Sequence, residues 1–230
     1  MATTDSVVGN VTPAYKVFSV FNIILMVVMS LVCILPVVNI LAISFSNPVA
    51  VASGKVWFWP VNPTLTAYKY MLAKQEFWNA MLVSIYRLVL GGSISMLLCI
   101  LAAYPLSKSK EVFPSRNVYV TYILITMMFS GGLIPTFFVV KHTGLMDSIW
   151  ALIIPGAVPV YNVIMLMNFF RQLPQEMEEA AYIDGAGHWQ VLWKIILPTS
   201  LPALATVGLF IMVGYWNEWF SAVIYMKSVK

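Results

Sequence analysis

Charged residues are scarce in this chain. Only 10% of its 230 residues are Asp, Glu, Lys or Arg, whereas 60% are hydrophobic, and the mean hydropathy is +0.85. A soluble domain of this size carries roughly a quarter charged residues. The shortage argues against a soluble globular domain and predicts a protein that crosses a membrane several times.

Cysteines, histidines and basic clusters are also few. Cys33 and Cys99 lie in apolar stretches and form no CxxC pair, which predicts buried free thiols rather than a metal or redox centre. The net charge of +4 is spread along the chain, and no Lys/Arg run marks a nucleic-acid partner. No Walker A sequence is present, and His142 and His188 suggest no Ser/His/Asp set. We therefore expect no catalytic residue, no metal and no cofactor bound by this chain.

Long uncharged runs, in contrast, are abundant. As a helix, residues 17–45 would be about 43 Å long at roughly 1.5 Å per residue, which is more than enough to span a lipid bilayer. We expect a cytoplasmic tail at 1–16 and an all-α transmembrane helix bundle at 17–230. The predicted spans are 17–45, 78–104, 117–140, 148–170 and 199–220, with a polar hairpin at 171–198.

Prolines and glycines predict where these spans depart from straight helices. Pro36 should kink the first span, Pro105 should end the second, and Gly131-Gly132 should bend the third. The segment 46–77 predicts an extramembrane loop, in which Trp57-Phe58-Trp59 is typical of an interfacial belt. A ligand-stacking platform is the alternative interpretation of that aromatic cluster.

Arg87 is the one charge well inside a predicted span. An ionisable residue within the membrane is a candidate for the substrate pathway, where an arginine would suit an acidic sugar. Alternatively, its long side chain extends to the membrane interface and has no role in transport.

The distribution of basic residues gives a weak preference for orientation. With a cytoplasmic N-terminus, and with the C-terminal tail left out, inner segments hold six Lys or Arg residues against four outside. This favours an N-terminus in the cytoplasm.

The polar segment 171–198 has the signals of a helix–turn–helix. Pro174 and the early acids suit a helix start, and Gly185 suits a left-handed C-terminal cap. The segment could be a membrane-surface hairpin, a DNA-reading motif or a docking element for a soluble partner. Because Lys194 is the only cation between Glu176 and Pro198, the DNA interpretation fails on charge.

The order of residues in this hairpin resembles the EAA signature of ABC importer permeases. The matching positions are Glu179, Ala180, Ala181, Asp184, Gly185, Ala186, Ile195, Leu197 and Pro198. Further stretches resemble the carbohydrate-uptake branch of that family, which includes the second membrane subunit of maltose importers and polysaccharide permeases of Gram-positive bacteria. They are Phe77-Trp78-Asn79, Ala103-Tyr104-Pro105-Leu106-Ser107, Ile134-Pro135 and Trp216-Asn217-Glu218.

The resemblance implies a permease of the type I importer fold in a bacterial plasma membrane. Its partners would be a second, homologous permease, two cytoplasmic ABC ATPase subunits that use ATP, and an extracellular solute-binding protein. The hairpin would be the coupling helix: Glu179 would pair with a basic residue of the ATPase, Ala180 and Ala181 would allow a close fit, and Gly185 would make the turn. Asn217 joins Arg87 as a candidate residue of the substrate pathway.

The chain departs from the family in its number of predicted spans, and three alternative functions exist. The family has six spans in this subunit, whereas five are predicted up to Lys230, so a sixth is expected and missing. A permease for a non-sugar solute remains an alternative. An integral-membrane enzyme using Glu176, Glu178, Glu179 or Glu218 would need no ATPase partner, and a channel would need a polar ring that the spans lack.

Overall fold

The computed structural model describes residues 13–227, and all regular structure within that range is helical. This confirms the all-α class. Most of the predicted tail at 1–16 lies outside the described residues, and residues 13–16 already belong to α1. The helices are α1 (Pro13–Ser44), α2 (Pro48–Ala52), α3 (Thr66–Ala73), α4 (Gln75–Ser107), α5 (Arg116–Met128), α6 (Leu133–His142), α7 (Ile149–Ile153), α8 (Val160–Gln172), α9 (Gln175–Ile183), α10 (His188–Val191), α11 (Leu197–Thr199), α12 (Leu201–Asn217) and α13 (Phe220–Tyr225).

The described residues divide into two compact units, one up to residue 79 and one from residue 80 onwards. In the first unit, α1 has 32 residues and is long and apolar enough to cross a bilayer on its own. Its side chains are mostly exposed, and Cys33 is exposed with them, so the prediction of a buried thiol there is wrong. Cys99, on α4, is buried as predicted.

The segment after α1 is more ordered than a plain loop. Thr64 N–H donates to the Phe45 carbonyl at 2.8 Å, and Tyr68 Oη donates to Ser44 Oγ at 2.9 Å. These bonds hold α3 and the residue two positions before it against the end of α1. The cluster Trp57-Phe58-Trp59 remains largely exposed.

Most of α4 lies in the second unit, where it is the longest of the described helices. Its 33 residues extend about 50 Å at roughly 1.5 Å per residue. Pro105 was predicted to end this helix, yet α4 continues to Ser107. A proline removes one backbone donor, and so close to a helix end that loss affects only the final turn.

Three further spans are bent pairs of helices. The angle is 115° between α5 and α6, 47° between Ile149–Gly156 and α8, and 84° between His188–Thr199 and α12. Within the described residues, two helices can span alone, and the count reaches five only when each bent pair counts as one. The bend after α5 falls at Gly132, whose φ of +81° is a conformation that glycine adopts without strain.

The core of the second unit lies where α4, α8, α9 and the helix after the hairpin turn meet. Its most deeply buried members include Cys99, Ala103, Leu166, Val191 and Leu192. The polar hairpin is therefore packed on the end of the helix bundle.

Candidate functional site

The first helix of the hairpin is α9. It starts directly after Pro174, which has an extended backbone, and it carries Glu176 and Glu178 in its first turn. Acidic side chains there interact favourably with the positive end of the helix dipole. The helix thus begins within one residue of where the sequence predicts.

The turn after α9 is a complete Schellman motif. Gly185 N–H donates to the Tyr182 carbonyl at 3.0 Å, and Ala186 N–H donates to the Ala181 carbonyl at 2.9 Å. Gly185 has a φ of +81°, as the left-handed cap requires. Residue order alone placed this turn correctly.

The second helix of the hairpin starts at α10. Gln190 Oε1 accepts a hydrogen bond from the Gly187 N–H at 3.1 Å, which satisfies a donor at the helix start. The helix continues through one π turn, Leu192–Ile196, into α11. Pro198 lies just beyond the π turn and has no N–H to donate into an α-helical ladder.

The nine residues of the signature do not share one face. Glu179, Ala180, Asp184, Gly185 and Pro198 are exposed, whereas Ala186 and Ile195 are half-buried. Ala181 and Leu197 are each only 8% exposed and belong to the buried core of the second unit. The small side chain of Ala181 is therefore used inside this chain.

Exposed apolar side chains surround the tip of the hairpin. Ile183 is 86% exposed and directly precedes Asp184, and Trp189 is 64% exposed. Such groups are normally covered by a partner or by lipid. Ile183 is not among the predicted site residues, although an isoleucine beside a glycine turn is a signal that could have identified it.

Glu178, in contrast to Glu179, has a partner within this chain. It forms an ion pair with Lys108, just after α4. Burial lowers the pKa of Lys108 and outweighs the opposite effect of the Glu178 carboxylate. Of the hairpin acids, Glu179 is thus exposed, and Glu178 is used to hold the hairpin on the bundle.

Arg87, the charge inside α4, is buried within the protein. It is 7% exposed and forms an ion pair with Glu218, and it also donates to the Glu218 backbone carbonyl at 2.6 Å. Its Nε has no hydrogen-bond partner among residues 13–227. An intramembrane charge paired with a second one is the usual arrangement in a spanning bundle.

Tyr215 completes this network. Its ring centroid lies 5.7 Å from the Arg87 guanidinium carbon, and its Oη lies 2.9 Å from Ser95 Oγ. Gly91 allows the approach, because a Cβ there would lie 2.8 Å from the tyrosine ring.

A cavity of about 200 Å³ lies beside the Arg87–Glu218 pair. Its polar lining is formed by Arg87, Asn162, Tyr215, Glu218 and Ser221. Asn217, the other predicted pathway residue, is exposed at the end of α12 and does not line this cavity. The sequence reasoning noted Glu218 but missed its pairing with Arg87 and missed Asn162.

Several known proteins are similar to this chain in fold or in sequence. A structure of a bacterial ABC transporter involved in the import of the acidic polysaccharide alginate matches with a TM-score of 0.87 and 32% identity, covering 94% of this chain and 77% of that one. The polygalacturonan/rhamnogalacturonan transport system permease protein YtcP of Bacillus subtilis is 42% identical over 199 residues, which cover 86% of this chain and 69% of that protein. Protein LplC of the same organism is 41% identical over 217 residues, or 94% and 73% of the two chains.

The match to a protein family spans almost the whole chain. The model of the binding-protein-dependent transport system inner membrane component matches residues 6–228. The relatives are transporter permeases and not enzymes, which confirms that expectation for this chain. The chain belongs to the family of inner membrane components of binding-protein-dependent transport systems.

Proposed function

We propose that this chain is a permease subunit of an ATP-driven importer of oligosaccharides derived from acidic polysaccharides. The family supplies the transport role. The substrate class is supported by two similar proteins, one named for polygalacturonan and rhamnogalacturonan and one for alginate, all of which are acidic. Within this chain, the observation that carries the coupling role is the hairpin, whose exposed face presents Glu179 and Ile183 beyond the helix bundle.

The hairpin is the coupling element of this proposal. Glu179 forms a charge-assisted contact with an Arg or Lys of a cytoplasmic ATPase subunit, and Ile183 enters an apolar recess beside it. Ala180 is small and exposed, so the partner can approach the helix closely. ATP is bound and hydrolysed by the two ATPase subunits and not by this chain.

The proposed transport role also requires an orientation in the membrane and further partner proteins. The hairpin and the N-terminus lie in the cytoplasm, a second homologous permease completes the transmembrane pathway, and an extracellular binding protein delivers the oligosaccharide. The weak excess of basic residues on the inner side supports this orientation.

The coupling proposal is tested by Glu179→Lys. A hydrogen bond to a charged group contributes about 1.5–3 kcal/mol, so we expect at least tenfold weaker ATPase binding and loss of uptake, with normal membrane insertion. Glu111→Lys is the matched control, because Glu111 is an exposed carboxylate outside the hairpin. Normal ATPase assembly and uptake with Glu179→Lys would contradict the proposal.

We assign Arg87 and Asn217 to the substrate pathway as part of this proposal. Glu218 neutralises Arg87, so the site does not offer a free positive charge. What it does offer is the Arg87 Nε–H, which has no partner in the described part of the chain, and the buried Asn162 amide; both residues line the cavity. Both groups can donate to a sugar hydroxyl or a uronate oxygen.

The pathway is tested by uptake of a neutral and a uronic-acid oligosaccharide in matched variants. Arg87→Lys keeps the charge but loses the Nε–H donor, and Asn217→Ala removes the exposed amide. We expect each to reduce uptake of the uronic-acid oligosaccharide more than uptake of the neutral one. Equal losses for both sugars would rule out a contact with the acidic group.

A further inference from the structure

The end of α4 is attached to the first helix of the hairpin by an ion pair. Lys108 and Glu178 make this contact, and their side chains are only 11% and 18% exposed. A pair that is mostly removed from solvent is less screened by salt than a surface pair. It therefore fixes the position of α9 relative to α4.

The same turn of α4 also holds the second helix of the hairpin. Tyr104 Oη donates to the His188 backbone carbonyl at 3.3 Å, and Lys108 Nζ lies 4.0 Å above the Tyr104 ring centroid. His188 Nδ1 in turn lies 2.7 Å from Tyr182 Oη on α9. Lys108 and Tyr104 thus hold both hairpin helices from a single point.

The joints of the hairpin along the chain are less direct. On one side, Leu173 and Pro174 form an extended two-residue link to α8. On the other side, the π turn and an 84° bend at Ser200 separate the hairpin from α12. Neither connection is a continuous α-helix, so a push on the hairpin would be partly absorbed at both.

Apolar packing at this joint is incomplete. A cavity of about 350 Å³ lies between the end of α4 and the second hairpin helix, bordered by Tyr104, Lys108, Trp189 and Leu192. On this side of the hairpin the unfilled apolar contact restrains the hairpin less, because interiors transmit displacement best where they are closely packed. The polar contacts of Lys108 and Tyr104 cross this gap and add to the buried core that Ala103, Val191 and Leu192 share.

We propose that Lys108, supported by Tyr104, is a positioning residue that makes the hairpin and α4 move as one body. Displacement of the hairpin by the ATPase then passes directly to α4, the helix that carries Arg87 and lines the cavity. The inference rests on the proposed coupling role of the hairpin, and it assigns the route by which that motion enters the membrane.

The first test measures uptake per ATP hydrolysed in vesicles that contain the full assembly, with a labelled oligogalacturonide as the probe. Lys108→Met and Glu178→Gln should leave assembly and ATP hydrolysis within about twofold of the wild type, while uptake falls about tenfold. The exposed neighbours give the controls Lys110→Met and Glu176→Gln, which should change neither quantity. The charge exchange Lys108→Glu with Glu178→Lys should restore most of the uptake.

The second test does not depend on the substrate. Spin labels at positions 176 and 97, in a chain with both natural cysteines replaced, report the distance from the first hairpin helix to α4. When ATP binds, this distance should stay constant in the otherwise wild-type chain and should broaden in Lys108→Met. A distance that changes already without the Lys108 variant would overturn the inference, as would unchanged uptake per ATP in both single variants.

The two tests also separate this inference from the proposed function. If the wild-type chain assembles with the ATPase and Glu179→Lys disrupts that assembly, the coupling role stands whatever Lys108→Met does. If Glu179→Lys has no effect, the coupling role fails first. A Lys108→Met chain that assembles, hydrolyses ATP and transports normally removes only the role of Lys108.

Discussion

The Arg87–Glu218 ion pair is asymmetric in burial, and its two halves should respond differently to mutation. The Arg87 side chain is 9% exposed, whereas the Glu218 side chain is 36% exposed. Glu218→Gln would leave a buried guanidinium without a counter-charge. Arg87→Met would leave a partly solvated carboxylate that still accepts a hydrogen bond from the Ser221 N–H at 2.7 Å.

The expected magnitudes follow from that difference. Leaving a buried charge unpaired costs about 3–5 kcal/mol, whereas losing a pair at an exposed group costs about 0–1 kcal/mol. At roughly 2–4 °C per kcal/mol for a chain of this size, Glu218→Gln should lower Tm by at least ~6 °C and Arg87→Met by no more than ~4 °C. The double variant should resemble Arg87→Met, because it leaves no charge behind.

Thermal unfolding of the purified protein in detergent, followed by tryptophan fluorescence, measures all three variants under one condition. Glu111→Gln is the control, since that carboxylate is exposed and should leave Tm unchanged. The order of the three Tm losses decides the test. An Arg87→Met loss as large as that of Glu218→Gln, or additive losses in the double variant, would refute the reasoning.

Three further predictions concern single positions. Gly185→Ala should lower Tm by ~2–8 °C, because a left-handed backbone costs other residues about 1–2 kcal/mol. Gly187→Ala, at a φ of −81°, should leave Tm unchanged. Gly91→Ala should destabilise the protein by about 1–3 kcal/mol, because the added carbon would lie 2.8 Å from the Tyr215 ring. Gly208→Ala should not, because no described atom outside its own helix backbone lies within 4 Å of the added carbon. Thermal unfolding in detergent measures both pairs of glycine variants. Burial lowers the pKa of Lys108 below its ordinary 10.5, so just below pH 10.5 the unfolded chain binds more protons than the folded chain. The contribution of Lys108 to stability should therefore rise with pH in that range. In Tm measured from about pH 8 to 10, the Lys108→Met variant should lose this rise.

The sequence predicts those parts of the fold whose contacts lie between residues close together in the chain. The hairpin turn needs only the six residues from Ala181 to Ala186, and its two hydrogen bonds span three and five positions. The break after α5 likewise falls at the predicted Gly131-Gly132 pair. Its angle of 115° could not be predicted, because the direction in which α6 leaves depends on what it packs against.

The candidate sites needed the three-dimensional structure. Arg87 and Glu218 are 131 positions apart, and Lys108 and Glu178 are 70 apart. Each of these charges is conspicuous in an apolar sequence, but hydrophobic periodicity contains no information about which of them meet. For the same reason, Ala181 was predicted to face a partner, whereas it packs in the core of its own unit.

The π turn Leu192–Ile196 has a consequence for how the length of this segment can vary in evolution. Each residue advances an α-helix by about 100° around its axis, so gaining or losing one residue here would rotate the hairpin tip away from its contacts relative to α12. The number of residues between Ala186 and Ile195, which is eight, therefore sets the rotation of the hairpin tip about the helix axis. Substitutions can accumulate at the exposed positions of that interval, but not at the buried Val191 and Leu192, and single-residue insertions and deletions should be eliminated from it.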